Sequence, residues 1–317
     1  DADKAEITAM PGWKQVEYLG WVERDGIRNA YVATFYTDTL SAALAKVLGM
    51  SNAEELRKIM PKTRGNHQEV EHFLREADQA NQLPDALRLL NSISEKDLRD
   101  TPADVLLDHL NNTPQIPEGL IDRPDATLFA EYVVNPRVWN EYLTPYKQFF
   151  AERIDTSLAT AARRNPQALV EWVKTHITLR NDLNPQYISI MPTGVWRARM
   201  ADIYSRNIFF VAVARSLGIP ARIELMTGKV QYYNHGWQDV NFEADHQTNA
   251  PQGMLTASYS PTPSLDNPKY YSHFTIARLR DDAQMRTLDF ESQGGVGDTW
   301  QDLLRAPSSL RLDCGNY

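Results

Sequence analysis

Five arginines, Arg197, Arg199, Arg206, Arg215 and Arg222, crowd a single stretch of an otherwise acidic chain. The whole sequence carries 33 Lys and Arg against 41 Asp and Glu, a net charge of −8. Guanidiniums gathered this way either close buried ion pairs or form an anion-binding patch, and those beside a helix start would be helped by its free amides. Arg199 and Arg206, with Trp237, are the candidates for holding a carboxylate or another anion at a cleft. His235 and His246, with Asp239 and Asp245 close by, could be drawn as a metal cluster. Their spacing fits no metal geometry, and neither Cys-x-x-Cys nor His-Glu-x-x-His occurs, so no metal or cofactor is expected. The aromatic group Tyr232, Tyr233, Trp237, Tyr259, Tyr270 and Tyr271 has the composition of a sugar-stacking face or of ordinary sheet packing.

Ala201 to Arg222 is the segment that must position this chemistry. Ile208 to Ala214 is apolar throughout, too short for a bilayer, and apolar on all sides, so it predicts a helix buried all round. Asp202 is the expected N-cap and Gly218 the expected C′ residue, with Ile219-Pro220 forcing an extended exit into a strand. Ser205, inside the first turn, is suited to hydrogen-bond the helix start rather than to attack a substrate.

Before this segment the periodicity is mostly helical. A β element is expected over 12–36, around the Asp25-Gly26 turn pair. Helical patterns follow over 40–48, 53–60, 68–79, 84–93, from Leu98, and over 102–110. Ser51 and Ser94 are the expected caps of two of them. A Pro-rich loop over 113–124 leads into 128–134. A longer helix is expected from Asn135 to Phe150, and another over 167–176 behind Asn165-Pro166. After the central helix the pattern changes to strands: 221–226, 229–233, 237–242, a hairpin of 273–279 with 285–290, and 310–317. The last of these stops abruptly, which leads us to expect that the natural chain continues. The chain opens on Asp1, as a processed chain would.

The acidic balance argues against nucleic acid and anionic membranes as partners, and no segment is long and apolar enough for a membrane helix. The single cysteine, Cys314, excludes an internal disulfide.

The segment Ala214-Arg-Ser-Leu-Gly-Ile-Pro-Ala-Arg222 resembles the core of the transglutaminase-like superfamily, and Asn135-Pro-Arg to Tyr146 and Tyr270-Tyr-Ser-His-Phe-Thr275 look like large secreted members from Bacteroidetes. The resemblance implies an α+β, papain-like fold. A central helix would carry a cysteine nucleophile at its start, with a histidine and an aspartate on neighbouring antiparallel strands, and the protein would work outside the cytoplasm. It also implies a division into a β element (1–37), a helical region (38–160) and a transglutaminase-like core (161–317).

At the nucleophile position this chain reads Asp202-Ile203-Tyr204, with Ser205 next, and no cysteine is near. A thiolate there would be stabilised by the helix dipole and a nearby imidazolium, neither of which makes a serine comparably acidic. One placement of the other two positions gives Met226 or Thr227 for the histidine and Asn241 for the aspartate, which removes the triad. The other, which we favour, gives His273 and Asp289 across the 273–290 hairpin, a base and its orienting carboxylate. The leading expectation is a transglutaminase-like domain without its nucleophile, acting as a binding or scaffolding module for a peptide, protein or glycan. An amide hydrolase or acyltransferase with a substituted nucleophile, and a glycan-associated structural domain, are the alternatives.

Overall fold

The computed structural model describes residues 38–114, 126–186, 188–224, 227–243, 251–279, 285–288, 299–303 and 310–317. The chain divides into two compact units, residues 1–107 and 108–317. Among the described residues the first unit is helical: α1 (Ser41–Val47), α2 (Glu54–Thr63), α3 (His67–Gln79), α4 (Leu83–Ser92), α5 (Glu95–Asp100) and the start of α6 (Ala103–Asn111). Each helix buries one apolar stripe, as with Val70, Phe73, Leu74 and Ala77 of α3. Ser94 caps α5 by accepting the Asp97 amide, as expected. Ser51 does not cap α2; the Asn52 side chain takes the Glu54 amide instead. The expected β element over 12–36 and most of the 113–124 loop lie outside the described residues.

The second unit is α+β. Its helices are α7 (Ala126–Phe129), a π-helical turn over Ala130–Val134, α8 (Lys147–Arg153), α9 (Thr156–Arg164), α10 (Gln167–His176), α11 (Pro192–Ala198) and α12 (Ile203–Ser216). A parallel pair, β1 (Thr178–Leu179) and β2 (Met200–Ala201), precedes α12. After α12 come β3 (Ala221–Ile223), β4 (Val230–Tyr233) and β5 (Trp237–Asp239), an antiparallel sheet in the order β3-β4-β5. The chain then forms β6 (Gln252–Leu255), the hairpin β7 (Ala277–Leu279) and β8 (Met285–Thr287), the short α13 (Trp300–Leu303) and β9 (Leu310–Asp313), which pairs with β6.

Central to this unit is α12, buried from Ser205 to Ser216 except at Asn207. Phe209, Phe210 and Val211 are wholly buried, packing in one core with Phe150 of α8, Leu169 and Val173 of α10 and Ala221 of β3. Removal of each such side chain from water contributes about 1.5–3 kcal/mol. The helix ends in a Schellman motif. Gly218 takes φ +80°, its amide donates to the Arg215 carbonyl (3.0 Å), and the Ile219 amide donates to the Ala214 carbonyl (2.9 Å).

Two expected elements are corrected. Residues 135–146 are not helical, and α8 begins only at Lys147. The buried Glu141 carboxylate accepts the Val138 and Trp139 amides (2.8 Å each), and Pro136 and Pro145 deny the helix two further donors. The buried Arg215 then holds this loop, donating to the Asn135 (2.8 Å) and Arg137 (2.7 Å) carbonyls and to Ala221 of β3 (3.0 Å). The strand expected from His273 starts at Ala277 instead. Residues 270–274 form a turn, because the buried Tyr270 hydroxyl takes the Ile276 amide and draws the chain back on itself.

Candidate functional site

The start of α12 is built from a few short polar side chains. Asp202 is extended (φ −72°, ψ 172°) and caps the helix: Oδ1 accepts the Tyr204 (2.9 Å) and Ser205 (3.1 Å) amides. Its other oxygen accepts the Ser205 hydroxyl (2.6 Å) and the Asn184 side-chain amide (2.7 Å). Ser205 Oγ in turn accepts the Ile190 amide (3.0 Å), so this hydroxyl is engaged as donor and acceptor. Asn181 Oδ1 takes the Ile203 amide (2.9 Å), and the Arg206 amide donates to the Asp202 carbonyl (2.9 Å). All four amides of the first turn are therefore taken by the chain itself, which leaves none for a bound anion. Burial opposes ionisation of Asp202, but the hydrogen bonds from Ser205, Asn184 and the two backbone amides outweigh it and hold the carboxyl below the usual range. Ser205 is wholly buried; the side chains that reach solvent at this helix start are Ile203 and Tyr204, 40% and 45% exposed.

The five arginines separate into distinct roles. Arg215 is the buried tie described above. Arg206, also buried, lies over the Phe242 ring (4.5 Å) and pairs with Glu243 (3.0 Å). Arg222 stacks on Trp237 (4.0 Å) and donates to Gln231 (2.9 Å), while Trp237 meets Tyr132 and Tyr233 edge-on. Arg197 and Arg199 are exposed. Arg199 closes α11 in the left-handed region (φ 53°), where a side chain costs about 1–2 kcal/mol, and its guanidinium lies 4.1 Å from the Trp196 ring centroid. Such a contact returns about 0.5–1 kcal/mol at an exposed site. Arg197 lies over Phe149 (5.2 Å), as does Arg153 (4.1 Å).

These contacts join into a ladder that the sequence reading did not single out. His176 stacks on Trp172 (4.5 Å), Trp172 on Trp196 (5.3 Å), and Phe149 meets Trp196 edge-on (6.5 Å). The signal was present as two i,i+4 pairs, Phe149 with Arg153 and Trp172 with His176.

His273 is exposed in the turn after Tyr270, where its Nδ1 accepts the Lys269 amide (2.9 Å). Asp289, His246 and Asp245 lie outside the described residues, as does Met226. His235 is at the tip of the β4–β5 turn with φ +52°, and Asp239 on β5 pairs with Lys229 (2.6 Å). Among the described residues no three His, Cys, Asp or Glu side chains gather as metal ligands would. The aromatic group does not form one row, since Tyr232 and Tyr270 are buried in two different clusters. Among the described residues no helix is long and apolar enough to cross a membrane.

A family model described as the transglutaminase-like superfamily matches residues 148–248. No curated protein and no solved structure shows a significant match. The matched segment runs from within α8 through α12 and the β3-β4-β5 sheet, the same elements that build the buried core around α12. Residues 148–248 are therefore a transglutaminase-like domain.

Proposed function

We propose that this transglutaminase-like domain is a non-catalytic binding module, with a peptide or protein as its ligand. The observation that carries the reading is the closed cap at the start of α12. Where the superfamily implies a cysteine, the Asp202 carboxylate and Ser205 hydroxyl satisfy each other and the helix amides. A nucleophile needs a free lone pair and a base to take its proton. Ser205 Oγ donates to a carboxylate that already accepts three other donors and, held below the usual range, is a poor base. One of the hydroxyl's two lone pairs takes the Ile190 amide, and the hydroxyl is wholly buried, out of a substrate's reach. An oxyanion formed here would also find no unused amide in the first turn.

The test is amide chemistry on the whole chain. Glutamine-containing peptides are incubated with a primary amine, and in parallel with water alone, and products are followed by mass spectrometry. The expected result is neither transfer nor hydrolysis, with iodoacetamide labelling only Cys314, the single and exposed thiol. Turnover that disappears in Ser205→Ala, in protein that still melts cooperatively, overturns the reading in favour of an enzyme with a substituted nucleophile. No comparable observation favours a glycan face: Tyr232 and Tyr270 of the aromatic group are buried in two different clusters, and the face of Trp237 is covered by Arg222.

A further inference from the structure

The binding reading leaves the ligand open, and one surface narrows it. Half of the large apolar side chains exposed among the described residues fall between Leu179 and Tyr204. They include Met200 of β2 and Ile203 and Tyr204 at the start of α12; Leu179, in register with the buried Ala201, faces the other side of the β1–β2 pair from Met200, which is opposite Thr178. Scattered singly, exposed apolar residues mean little, but a concentration rimmed by polar groups marks an interaction surface. Arg199 is the residue before β2, and its carbonyl accepts the Thr178 amide of β1 (2.9 Å), so the aromatic–arginine ladder is continuous with this apolar stretch through the backbone.

Along the ladder Arg197 and Arg199 lie on aromatic rings, and among the described residues neither is in an ion pair with a carboxylate. This is unusual company in a chain with eight more acids than bases. Arg153, the ladder's third guanidinium, pairs with the adjacent Glu152 (2.9 Å). A guanidinium held over an aromatic ring keeps its planar fork of N–H donors, which suits the two oxygens of a carboxylate. The ring faces themselves are occupied by one another and by Arg199, so the ladder offers cationic donors rather than open sugar-stacking faces.

We propose that the surface formed by Arg197, Arg199, Met200, Ile203 and Tyr204 docks an acidic, apolar-studded polypeptide segment, whose carboxylates meet the two guanidiniums and whose apolar side chains cover the exposed stretch. The proposal rests on the domain being a binding module and names the partner class of that module. Charge complementarity chooses this occupant: a basic segment would face Arg197 and Arg199, and an isologous pairing with a second copy of this chain would bring the same guanidiniums together.

The experiment is fluorescence anisotropy with three labelled peptides of equal length: one of mixed Glu, Asp, Leu and Phe, one with Lys and Arg in place of the acids, and one of Glu, Ser and Gly. The acidic apolar peptide should bind. Binding should weaken roughly three- to tenfold in each of Arg197→Gln and Arg199→Gln, as expected for loss of one charge-assisted contact, and should weaken further with added salt. Arg199→Lys should recover part of the loss, which a merely structural role for the stacked guanidinium would not do. Ile203→Ser should weaken the apolar peptide and leave the Glu-Ser-Gly peptide unchanged. Equal binding of the basic peptide, indifference to both arginine substitutions in protein with unchanged melting, or displacement of the peptide by a sulfated polysaccharide that binds more tightly would overturn the proposal. Amide turnover in the preceding assay would defeat the non-catalytic reading and leave this docking measurement standing; absence of both turnover and peptide binding would defeat only the docking surface.

Discussion

Replacement of Asp202 by alanine tests the reading of the helix start most directly. The substitution removes the N-cap of α12, a loss of about 1 kcal/mol in typical helices. It also strands the buried Ser205 hydroxyl and the half-buried Asn184 amide, each bonded to Asp202 Oδ2, at about 1 kcal/mol apiece. The expected destabilisation is therefore about 3 kcal/mol. Asp202→Asn separates charge from shape. Its carbonyl oxygen can still cap the helix, but its NH2 group faces two donors, so a loss of about 1.5–2 kcal/mol is expected. Denaturant unfolding followed by tryptophan fluorescence is a suitable assay. Five of the seven tryptophans, Trp139, Trp172, Trp196, Trp237 and Trp300, belong to the 108–317 unit. The pH dependence carries a second check. A carboxyl held below its unfolded value stabilises the fold above that value, about 3.9, and the contribution is lost as pH falls through the folded value. The gap between wild type and Asp202→Asn should thus be constant from pH 7 to about 5 and narrow below 4. A cost under 1 kcal/mol for Asp202→Ala, or a gap that widens in acid, would refute the cap network as the organiser of this site.

Other outcomes follow from the core around it. Buried His109 is held well below its ordinary value by desolvation, by Lys147 and by Arg215, so the unfolded chain takes up a proton near pH 6.5 that the folded chain refuses; stability should fall by up to about 1.4 kcal/mol per pH unit below that point, and His109→Gln should flatten the slope in the same denaturation assay. Gly218→Ala should cost about 1–2 kcal/mol by thermal or chemical unfolding, because the C′ position sits at φ +80°. Phe209→Ala should cost about 3–5 kcal/mol, the range for a large buried aromatic whose cavity cannot collapse.

Much of the α12 region was legible from residues alone. Asp202, the apolar run and Gly218 specify a capped, fully buried helix because their signals are local, a side-chain cap at one end and a left-handed glycine at the other. The 135–146 loop was not legible, since its helix-like composition is overruled by contacts from far along the chain: Arg215 reaches the carbonyls of Asn135 and Arg137. Nor was the closure of the helix start. Asp202 and Ser205 could be named as a cap and its neighbour, but Asn181, Asn184 and Ile190, which use up the remaining valences, are 15 to 22 residues away from their partners. The division of the arginines into buried ties and exposed ladder steps likewise depends on which aromatic ring each one meets.

Lys147 opens α8 with a wholly buried amino group, its pKa pushed well below the ordinary lysine value by burial, whose acceptors are the Val133, Val134 and His109 carbonyls and the Thr113 hydroxyl. Three stretches of chain, around 109–113, 133–134 and 147, must all be in place before that polar group can leave water without a large penalty. A contact that needs all three stretches at once is expected to close late in folding, after its partners have arrived, and to add little to the transition state. Lys147→Met should then speed unfolding while leaving the folding rate nearly unchanged, a split that stopped-flow kinetics reads directly.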